Sequence, residues 1–452
     1  MIKVASKINI ESLAKDLEER TVFDESLYAK YGVKRGLRNF DGTGVLAGIT
    51  RVSNVHGYYI DEFERVPCEG QLYYRGINVR DIIDAADRND TFGYEEASWL
   101  LLFGTLPTRD ELEYYDMIMD EYRELPNSFI EDMIMKAPSP NIMNKLARSV
   151  LALYSYDENP DDNSIENVLR QSLMLISRLP VIMTAAYQVK KRYYDNETFF
   201  LHMPIQGQSM AENILSTLRI DRKFTHEEAM LLDKCLILHA EHGGGNNSTF
   251  ACRALTSSGT DTFSAIAAGI GALKGPRHGG ANIKVVEMLD DIKKNVKDYK
   301  DDDEVSAYLS KILRKEAGDR SGLIYGMGHA VYTLSDPRAV VLRKEADEHC
   351  DHFGMREDFE LLNSIERLSP PLLENKMVGG NAICANVDLY SGLIYRMLGI
   401  PTDLFTPLFA LARMSGWCAH RIEEIITCRR IMRPAYRPML GKTPYVDIDE
   451  RH

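Results

Sequence analysis

Four short segments of this 452-residue chain combine glycines with polar side chains that could carry out chemistry: residues 239–248, 275–282, 326–338 and 385–392. Glycine lets a backbone approach a ligand closely, while histidine, aspartate, asparagine and arginine supply acids, bases and hydrogen-bond donors. Taken singly, each segment has a simpler interpretation as a stopped helix, a hydrogen-bonded histidine or a capping aspartate. Their conjunction in one chain favours a shared site.

Arg413 is a further candidate because it interrupts the apolar stretch LFALARM, which has the composition of a core helix. Its neighbours imply that the guanidinium is partly buried, and a buried guanidinium needs an anion. That anion could be a carboxylate of the chain itself or a bound acid. The sequence leaves both interpretations open.

A metal site is the main rival explanation for the histidines. His239 and His242 lie three residues apart, and His278 or His329 could complete a zinc shell. The segment is not H-E-x-x-H, however, Glu241 has the wrong spacing and no cysteine is close. We therefore predict no metal. The chain also lacks a G-x-S-x-G nucleophile motif, and no Walker or Rossmann glycine pattern follows a predicted strand.

The elements that must position these side chains are predicted to be mostly helices. Thr225 and Glu228 have the spacing of a capping box, which predicts a helix over 225–242 with His239 and His242 at its C-terminal end. A second helix is predicted from the Asp-Pro pair at 336–337 to Gly354. Arg338 then lies in its first turn.

Strands are predicted to be scarce. The best candidate is VPCEGQLYYRG at 66–76, where Glu69 and Gly70 could form the turn of a small hairpin. A length of 452 residues favours two domains over one. The Gly-rich stretch near 284 and the Pro- and Gly-containing stretch at 390–401 are the predicted points of domain change.

Composition restricts the partners. Hydrophobic residues make up 44% and charged residues 27%, which are ordinary values for a globular protein. A net charge of −13 argues against binding nucleic acid or an anionic membrane surface, because both attract a cationic face. No stretch approaches eighteen or so uncharged apolar residues, so we predict no membrane span.

The seven cysteines are scattered and form no C-x-x-C pair, which is typical of buried thiols in a reducing compartment. The first twenty residues have no apolar core of a signal peptide, and their acidic residues disfavour a transit peptide. We therefore predict a cytoplasmic protein.

Taken together, the segments resemble the citrate synthase family, in its si-type form, from about Gly70 to Tyr436. The motifs that carry the resemblance are GPRHGGAN around His278, GMGHAV…SDPR around His329 and Arg338, NVDLYSG around Asp388, and RIMRPAY around Arg433. They occur in the family's order and spacing. The earlier EGQLYYRG and FGYEEASWLLLFGTLP stretches are also similar to the family.

The resemblance implies an all-α fold of two domains, with a small helical domain inserted into a large one. The large domain would comprise 1–284 and 393–452, and the small domain 285–392. The resemblance also implies at least a homodimer, in which Arg433 reaches the active site of the neighbouring subunit.

By resemblance, the substrates are acetyl-CoA and oxaloacetate, and no cofactor is needed. Asp388 would take the methyl proton of acetyl-CoA, His278 would hydrogen-bond the thioester oxygen, and His329 would donate to the keto oxygen of oxaloacetate. The remaining implied oxaloacetate contacts are Arg338, Arg413, Arg433, His242 and Asn246. Arginine suits this dianion because its planar fork binds carboxylates bidentately.

The chain departs from the pattern at Thr333, where some members of the family place a basic residue, so its contacts with the CoA phosphates are not assigned. Two other functions stay open. A 2-methylcitrate synthase would use propionyl-CoA with the same three catalytic side chains. A non-catalytic protein that binds CoA or acids on the same fold is the second, although a pure binder has no chemical need for a carboxylate opposite two imidazoles.

Overall fold

The structure is a computed structural model that describes residues 10–22, 24–39, 42–62, 64–373, 383–428 and 430–451. The chain divides into two compact units. One consists of Met1–Ala47 with Arg433–His452, and the other of Gly48–Met432.

The first unit contains little regular structure. Helices α1 (Ile10–Thr21) and α2 (Ser26–Lys30) are followed by a 3-10 turn at Arg35–Leu37, and a second 3-10 turn lies at Ile448–Glu450. Within this unit, the guanidinium of Arg437 lies 5.1 Å from the centre of the Tyr31 ring, a cation–π contact that joins its two chain segments.

The second unit is dominated by helices, which confirms the predicted fold class. They are α3 (Val79–Asn89), α4 (Tyr94–Phe103), α5 (Arg109–Tyr122), α6 (Ile142–Leu153), α7 (Ile165–Tyr194), α8 (Met210–Leu218), α9 (His226–His239), α10 (Asn247–Thr256), α11 (Thr262–Leu273), α12 (Ala281–Asn295), α13 (Asp302–Leu313), α14 (Pro337–His349), α15 (Arg356–Leu373), α16 (Asp388–Met397) and α17 (Phe405–Thr427). The predicted domain boundaries, after 284 and 392, fall within α12 and α16, and the division at those points stays a prediction.

Helix α17 is central to the packing. It contacts α4, α7, α9, α10 and α11, and its side chains are buried from Phe405 to Arg421. Because the surrounding helices exclude solvent from this helix, Arg413 is shielded from bulk water. The guanidinium is 0% exposed.

Two predicted helix starts are confirmed. Thr225 caps α9 by accepting from the Glu228 N–H, and Glu228 completes the capping box. Asp336 caps α14 by accepting from the Arg338 N–H, with Pro337 in the first turn. The predicted end of α14 at Gly354 is wrong: the helix ends at His349, because the chain turns before it reaches the positive-φ glycine.

The predicted hairpin is also partly wrong. Strands β1 (Ser53–Asp61) and β2 (Glu64–Tyr74) pair antiparallel, with Asp61 opposite Glu64 at the end of the hairpin, so Gly70 lies within β2 and forms no turn. A Cβ atom on Gly70 would lie 2.1 Å from the carbonyl oxygen of Ser335, so glycine is required there for close packing. A short strand β3 (Ile77–Asn78) pairs with the end of β2.

Helix α7 is long and apolar enough to cross a membrane by length and composition, but 89% of its apolar window is buried within the protein. It is a core helix. The described cysteines, all seven, are free thiols; five are buried, whereas Cys68 and Cys428 are only half-buried. The prediction that all of them are buried therefore holds for five.

Candidate active site

The loop before α14 presents His329. Gly326 and Gly328 adopt positive φ values of 82° and 93°, which few other residues tolerate. The backbone N–H groups of Val331 and Tyr332 both donate to His329 Nδ1 at 3.0 Å. Because Nδ1 accepts these bonds, the proton of the neutral ring is on Nε2, which is therefore a donor.

The loop that carries His329 is tied to the start of α16. The Gly328 N–H donates to the Cys384 carbonyl at 2.8 Å, and Asn386 Nδ2 donates to the Gly328 carbonyl at 2.9 Å. Asn386 Oδ1 in turn accepts from the N–H of Asp388 at 3.0 Å. These bonds fix two of the sequence segments against each other.

Asp388 is the first residue of α16. Its Oδ1 atom is buried and makes no hydrogen bond within the described residues. Burial raises the pKa of this carboxyl to about 7, even though Arg338 acts to lower it. A carboxyl that titrates near neutrality can act as a general base, because it is ionised enough to accept a proton and basic enough to hold it.

His278 lies near the start of α12 and contacts the loop before α10. Its Nε2 atom is 3.0 Å from both Asn246 Oδ1 and Ser248 Oγ, and Ser248 Oγ also accepts from Trp417 Nε1 at 3.2 Å. Burial lowers the pKa of His278 to about 4, and the cations Arg413 and Arg338 add to this effect. The imidazole is therefore neutral at physiological pH.

Arg338, in the first turn of α14, is 3% exposed and pairs with Asp336. Its Nε donates to Oδ1 at 3.0 Å and its Nη2 to Oδ2 at 2.7 Å. Burial opposes the charge on Arg338, but the Asp336 carboxylate outweighs burial and raises the pKa of the guanidinium. Because Nε and Nη2 make these two bonds, Nη1 of Arg338 takes no part in the pair with Asp336.

Arg413 has a different environment. Its Nε donates to the carbonyl oxygen of His239 at 2.7 Å, and the cation lies 4.9 Å from the ring centre of Phe409. No described group hydrogen-bonds its Nη1 or Nη2, although both are buried. Burial lowers the pKa of Arg413 to about 10. The sequence left open whether Arg413 pairs with a carboxylate of the chain itself. No such ion pair occurs among its described contacts, so its two terminal nitrogens are suited to a bound anion.

His242 lies beside His329, with ring centres 5.0 Å apart, and edge-on to Tyr332 at 5.6 Å. It is 7% exposed, and its Nε2 finds no hydrogen-bond partner in the part of the chain that the structure describes. Burial, followed by the charge of Arg338, holds the pKa of His242 well below its usual value. It can therefore act as a neutral donor or acceptor.

A buried charge network that the sequence analysis missed lies behind Arg413. Glu241 Oε1 accepts from Ser53 Oγ at 2.8 Å and from His420 Nε2 at 2.8 Å. His420 Nδ1 accepts from Arg253 at 2.8 Å. Although burial opposes ionisation, His420 and Arg413 lower the pKa of Glu241 to about 2. Glu241 is therefore the buried anion whose charge most strongly favours the charged form of Arg413.

The sequence held a signal for this network. Glu424 also belongs to this network, since its carboxylate lies 2.7 Å from Arg253 Nη2. Arg413, His420 and Glu424 are seven and four residues apart, which places them on one face of α17. A charged stripe on an apolar helix predicts buried partners on the facing elements. Glu241, between His239 and His242 just after the end of α9, is the partner that faces His420 on this stripe.

His239 is fully buried and stacks on Phe409 with ring centres 4.2 Å apart. Within residues 10–373 and 383–451, apart from the five positions not described there, no group of three His, Cys, Asp or Glu side chains is arranged to hold a metal ion. The His239 ring therefore packs as a core residue beside the site.

The second unit thus brings together His242, Asn246, His278, His329, Arg338, Arg413 and Asp388. Arg433 is not among them. It is an exposed residue at the start of the C-terminal part of the first unit. A carboxyl of pKa about 7, neutral imidazoles and cationic guanidinium groups can remove a proton beside a carbonyl and stabilise the resulting oxyanion on an anionic substrate.

Comparisons with known proteins agree with this arrangement. The family model "Citrate synthase, C-terminal domain" matches residues 39–435. The chain is 32% identical to citrate synthase of Synechocystis over 86% of this chain and 88% of the relative. It is 30% identical to 2-methylcitrate synthase 1 of Corynebacterium glutamicum over 87% of this chain and 91% of the relative.

Solved structures show the same fold. The citrate synthase of the archaeon Thermoplasma acidophilum, in a ternary complex with carboxymethyl coenzyme A and oxaloacetate, is similar with a TM-score of 0.76 and 26% identity. The match covers 93% of this chain and 99% of that one. The predicted all-α, two-domain fold is thereby confirmed.

Proposed function

Because this chain belongs to the citrate synthase family, within the acyltransferases of class EC 2.3.3, we propose that it condenses acetyl-CoA, oxaloacetate and water to citrate and CoA. The observation that carries the proposal is the environment of Asp388. Its carboxyl, whose Oδ1 atom is buried, has a pKa raised to about 7 and shares the site with the neutral imidazole of His278. A base and an oxyanion donor are what removal of a thioester methyl proton demands.

In the first step, Asp388 takes a methyl proton from acetyl-CoA while His278 hydrogen-bonds the thioester oxygen. Since Nε2 of His278 faces Asn246 and Ser248, Nδ1 is the nitrogen left for the substrate. Nδ1 carries the proton when the Ser248 hydroxyl donates to Nε2. The Ser248 hydroxyl has two acceptors within reach, Asn246 Oδ1 at 2.9 Å and His278 Nε2 at 3.0 Å, and it donates its one proton to either of them while accepting the Trp417 N–H.

In the second step, the methyl carbon forms a bond to the keto carbon of oxaloacetate, and the keto oxygen takes a proton from Nε2 of His329. The two backbone bonds to Nδ1 support this role because they place the ring proton on Nε2. Water then cleaves the thioester of the citryl-CoA product, releasing citrate and CoA. Of the two protons of that water, one goes to the CoA sulfur and the other restores the Nε2–H of His329, while the proton held by Asp388 returns to solvent.

The two carboxylates of oxaloacetate are proposed to bind the guanidinium groups. Arg413 offers two buried NH2 groups that no described residue occupies, and Arg338 offers Nη1 beside its pair with Asp336. His242 and Asn246 add neutral contacts. Arg433 is proposed to complete the site from the neighbouring subunit of a homodimer.

Closure of the two proposed domains on oxaloacetate would create the acetyl-CoA site and exclude water until the condensation is complete. Oxaloacetate is therefore proposed to bind first. Equal affinity for acetyl-CoA with and without oxaloacetate would contradict this order.

The proposed reaction needs neither a metal nor a cofactor, since base, acid and cations all come from side chains. Free thiols at all seven described cysteines support the proposal of a cytoplasmic enzyme.

A second candidate is 2-methylcitrate synthesis from propionyl-CoA, favoured by the similarity to the Corynebacterium glutamicum enzyme. One extra methylene in an apolar pocket is worth only about 1–3 kcal/mol, so a few pocket residues decide the preference.

The test is release of the CoA thiol by purified protein with oxaloacetate, with acetyl-CoA and propionyl-CoA compared and Asp388→Asn as the control. Faster acetyl turnover that the substitution abolishes supports citrate synthesis. A propionyl preference identifies the second candidate. Absence of release with every short acyl-CoA would favour a binding protein.

A further inference from the structure

The β1–β2 hairpin packs against the segment 331–337, which follows His329. The Gly70 N–H donates to Ser335 Oγ at 3.1 Å, and the Tyr332 hydroxyl donates to the Gln71 carbonyl at 3.3 Å. Added Cβ atoms on Gly57 and Gly70 would lie 3.0 Å and 2.8 Å from the Tyr332 ring. The hairpin surface is therefore closely fitted to the residues that hold His329.

Arg65 makes the most specific of these contacts. Its Nη2 donates to the carbonyl oxygen of Val331 at 2.9 Å, and its guanidinium stacks 4.1 Å from the ring centre of Tyr58. Its Nε is buried and unbonded by any group in the described ranges. The guanidinium thus stacks on an aromatic ring and donates to a single peptide oxygen.

The Val331 carbonyl and the Tyr332 N–H belong to one planar peptide unit. Arg65 binds the oxygen of this unit, and its N–H donates to Nδ1 of His329 at 3.0 Å. A rotation of the unit would break both bonds together. A charged donor on the oxygen also polarises the amide and strengthens the N–H as a donor.

We propose that Arg65 is a positioning residue for His329: through the peptide between Val331 and Tyr332 it fixes the ring orientation and keeps the ring proton on Nε2. The assignment rests on the proposed function, in which that proton is donated to the keto oxygen. It gives the hairpin, a minor element in a helical protein, an indirect part in catalysis through the position of His329.

Loss of Arg65 would free the peptide to turn, so that Nδ1 loses an N–H partner and the ring can adopt the other tautomer. We expect Arg65→Met to lower kcat about 10- to 100-fold, because small misplacements of a catalytic group have effects of this order. The KM for oxaloacetate changes by less than about 3-fold, since His329 acts mainly on charge that develops in the transition state.

Arg65→Lys is the conservative variant, because its ammonium can still donate to the Val331 oxygen, and we expect it to restore most of kcat. Arg88→Met is the matched control: Arg88 is an exposed arginine in the last turn of α3, outside the hairpin, and its loss leaves kcat unchanged. Melting temperatures show which variants are folded. If Arg65→Met does not fold, Tyr58→Leu loosens the same guanidinium and lowers kcat in the same direction.

A second readout is independent of turnover. In unliganded protein with ¹⁵N-labelled histidine, the His329 ring signals report which nitrogen carries the proton. The wild type shows protonated Nε2, and Arg65→Met shows a mixture of tautomers. Unchanged ring signals together with wild-type kcat, or a rise in KM alone, would overturn the proposal. Failure of wild-type turnover would instead refute the proposed function, while the ring signals would still decide the role of Arg65.

Discussion

Arg413 donates from Nε to the carbonyl oxygen of His239 at 2.7 Å, which fixes the guanidinium at the end of α9. The same carbonyl belongs to the helix whose following residues supply Glu241 and His242. One backbone oxygen thus sets the register between α17 and the loop that lines the site. The two Nη atoms, for which the described residues provide no acceptor, are left for a ligand.

We expect Arg413→Lys to raise the KM for oxaloacetate about 10- to 100-fold, because an ammonium cannot make the two parallel bonds of a guanidinium. Steady-state kinetics with varied oxaloacetate measure this. Oxaloacetate also raises the melting temperature of the wild type through binding to the folded state, and that shift is lost in the variant. Arg88→Lys, at an exposed position, is the control and keeps both properties.

The pH profile should follow Asp388. Its pKa is raised to about 7, so the base is protonated and inactive in more acidic solution. We expect kcat/KM for acetyl-CoA to fall tenfold per pH unit below that value and to level off above it. A profile that stays flat down to the ordinary range of aspartate would show that Asp388 is not the base.

The same shift predicts an effect on stability. The folded pKa of Asp388 lies above its unfolded value, so its stabilising contribution is full below the unfolded pKa and is lost as pH rises towards about 7. Above that pH, Asp388→Asn should be more stable than the wild type by about 2–4 kcal/mol, since the amide carries no charge to bury. Chemical denaturation on both sides of neutrality measures this difference. Equal stability in alkaline solution would contradict it.

Sequence alone predicted the helical class, the start of α9 and the start of α14, because capping residues are local signals. It also named six of the polar residues that the second unit brings close to Asp388. It misplaced the hairpin turn, since the reason for Gly70 is contact with Ser335, 265 residues later in the chain. Contacts between distant segments leave no local pattern.

The supporting residues were missed for the same reason. Glu241, Ser248 and Arg65 act through partners on other elements, namely His420, Trp417 and the Val331 peptide. Their residue types are common, and only the packed structure shows which of them is buried against a catalytic group. The predicted role of Arg433 requires a second subunit and stays a prediction.

Ser248→Ala tests how His278 is prepared for catalysis. The hydroxyl lies 3.0 Å from Nε2 and 2.9 Å from Asn246 Oδ1; without it, Asn246 Oδ1 is the one described oxygen left at that distance from Nε2, and as an acceptor it draws the ring proton to Nε2. Nδ1 then has no proton for the thioester oxygen. We expect kcat to fall about 10- to 100-fold, comparable to the loss of part of an oxyanion hole.

The KM for oxaloacetate should change little in Ser248→Ala. Ser258→Ala, an exposed serine just after the same helix α10, is the matched control and should retain wild-type kcat. If Ser248→Ala retained full activity, the tautomer of His278 would be set by some other group.

Glu241→Gln tests the charge network behind Arg413. The pKa of Glu241 is lowered to about 2, so its contribution to stability is present above its unfolded pKa and is lost as pH falls through the folded value. The amide keeps the shape but removes the negative charge that offsets buried Arg413. We expect a loss of about 3–5 kcal/mol near neutral pH, as when one partner of a buried ion pair is removed.

Oxaloacetate should recover part of that loss, because its carboxylates supply the missing negative charge to Arg413. Melting temperatures of wild type and Glu241→Gln, each with and without oxaloacetate, therefore measure a coupling: the ligand-induced shift is larger in the variant. Glu227→Gln, in the exposed first turn of α9, is the control and shows the wild-type shift. An equal or smaller shift in Glu241→Gln would mean that Glu241 positions the loop but does not balance the charge of Arg413.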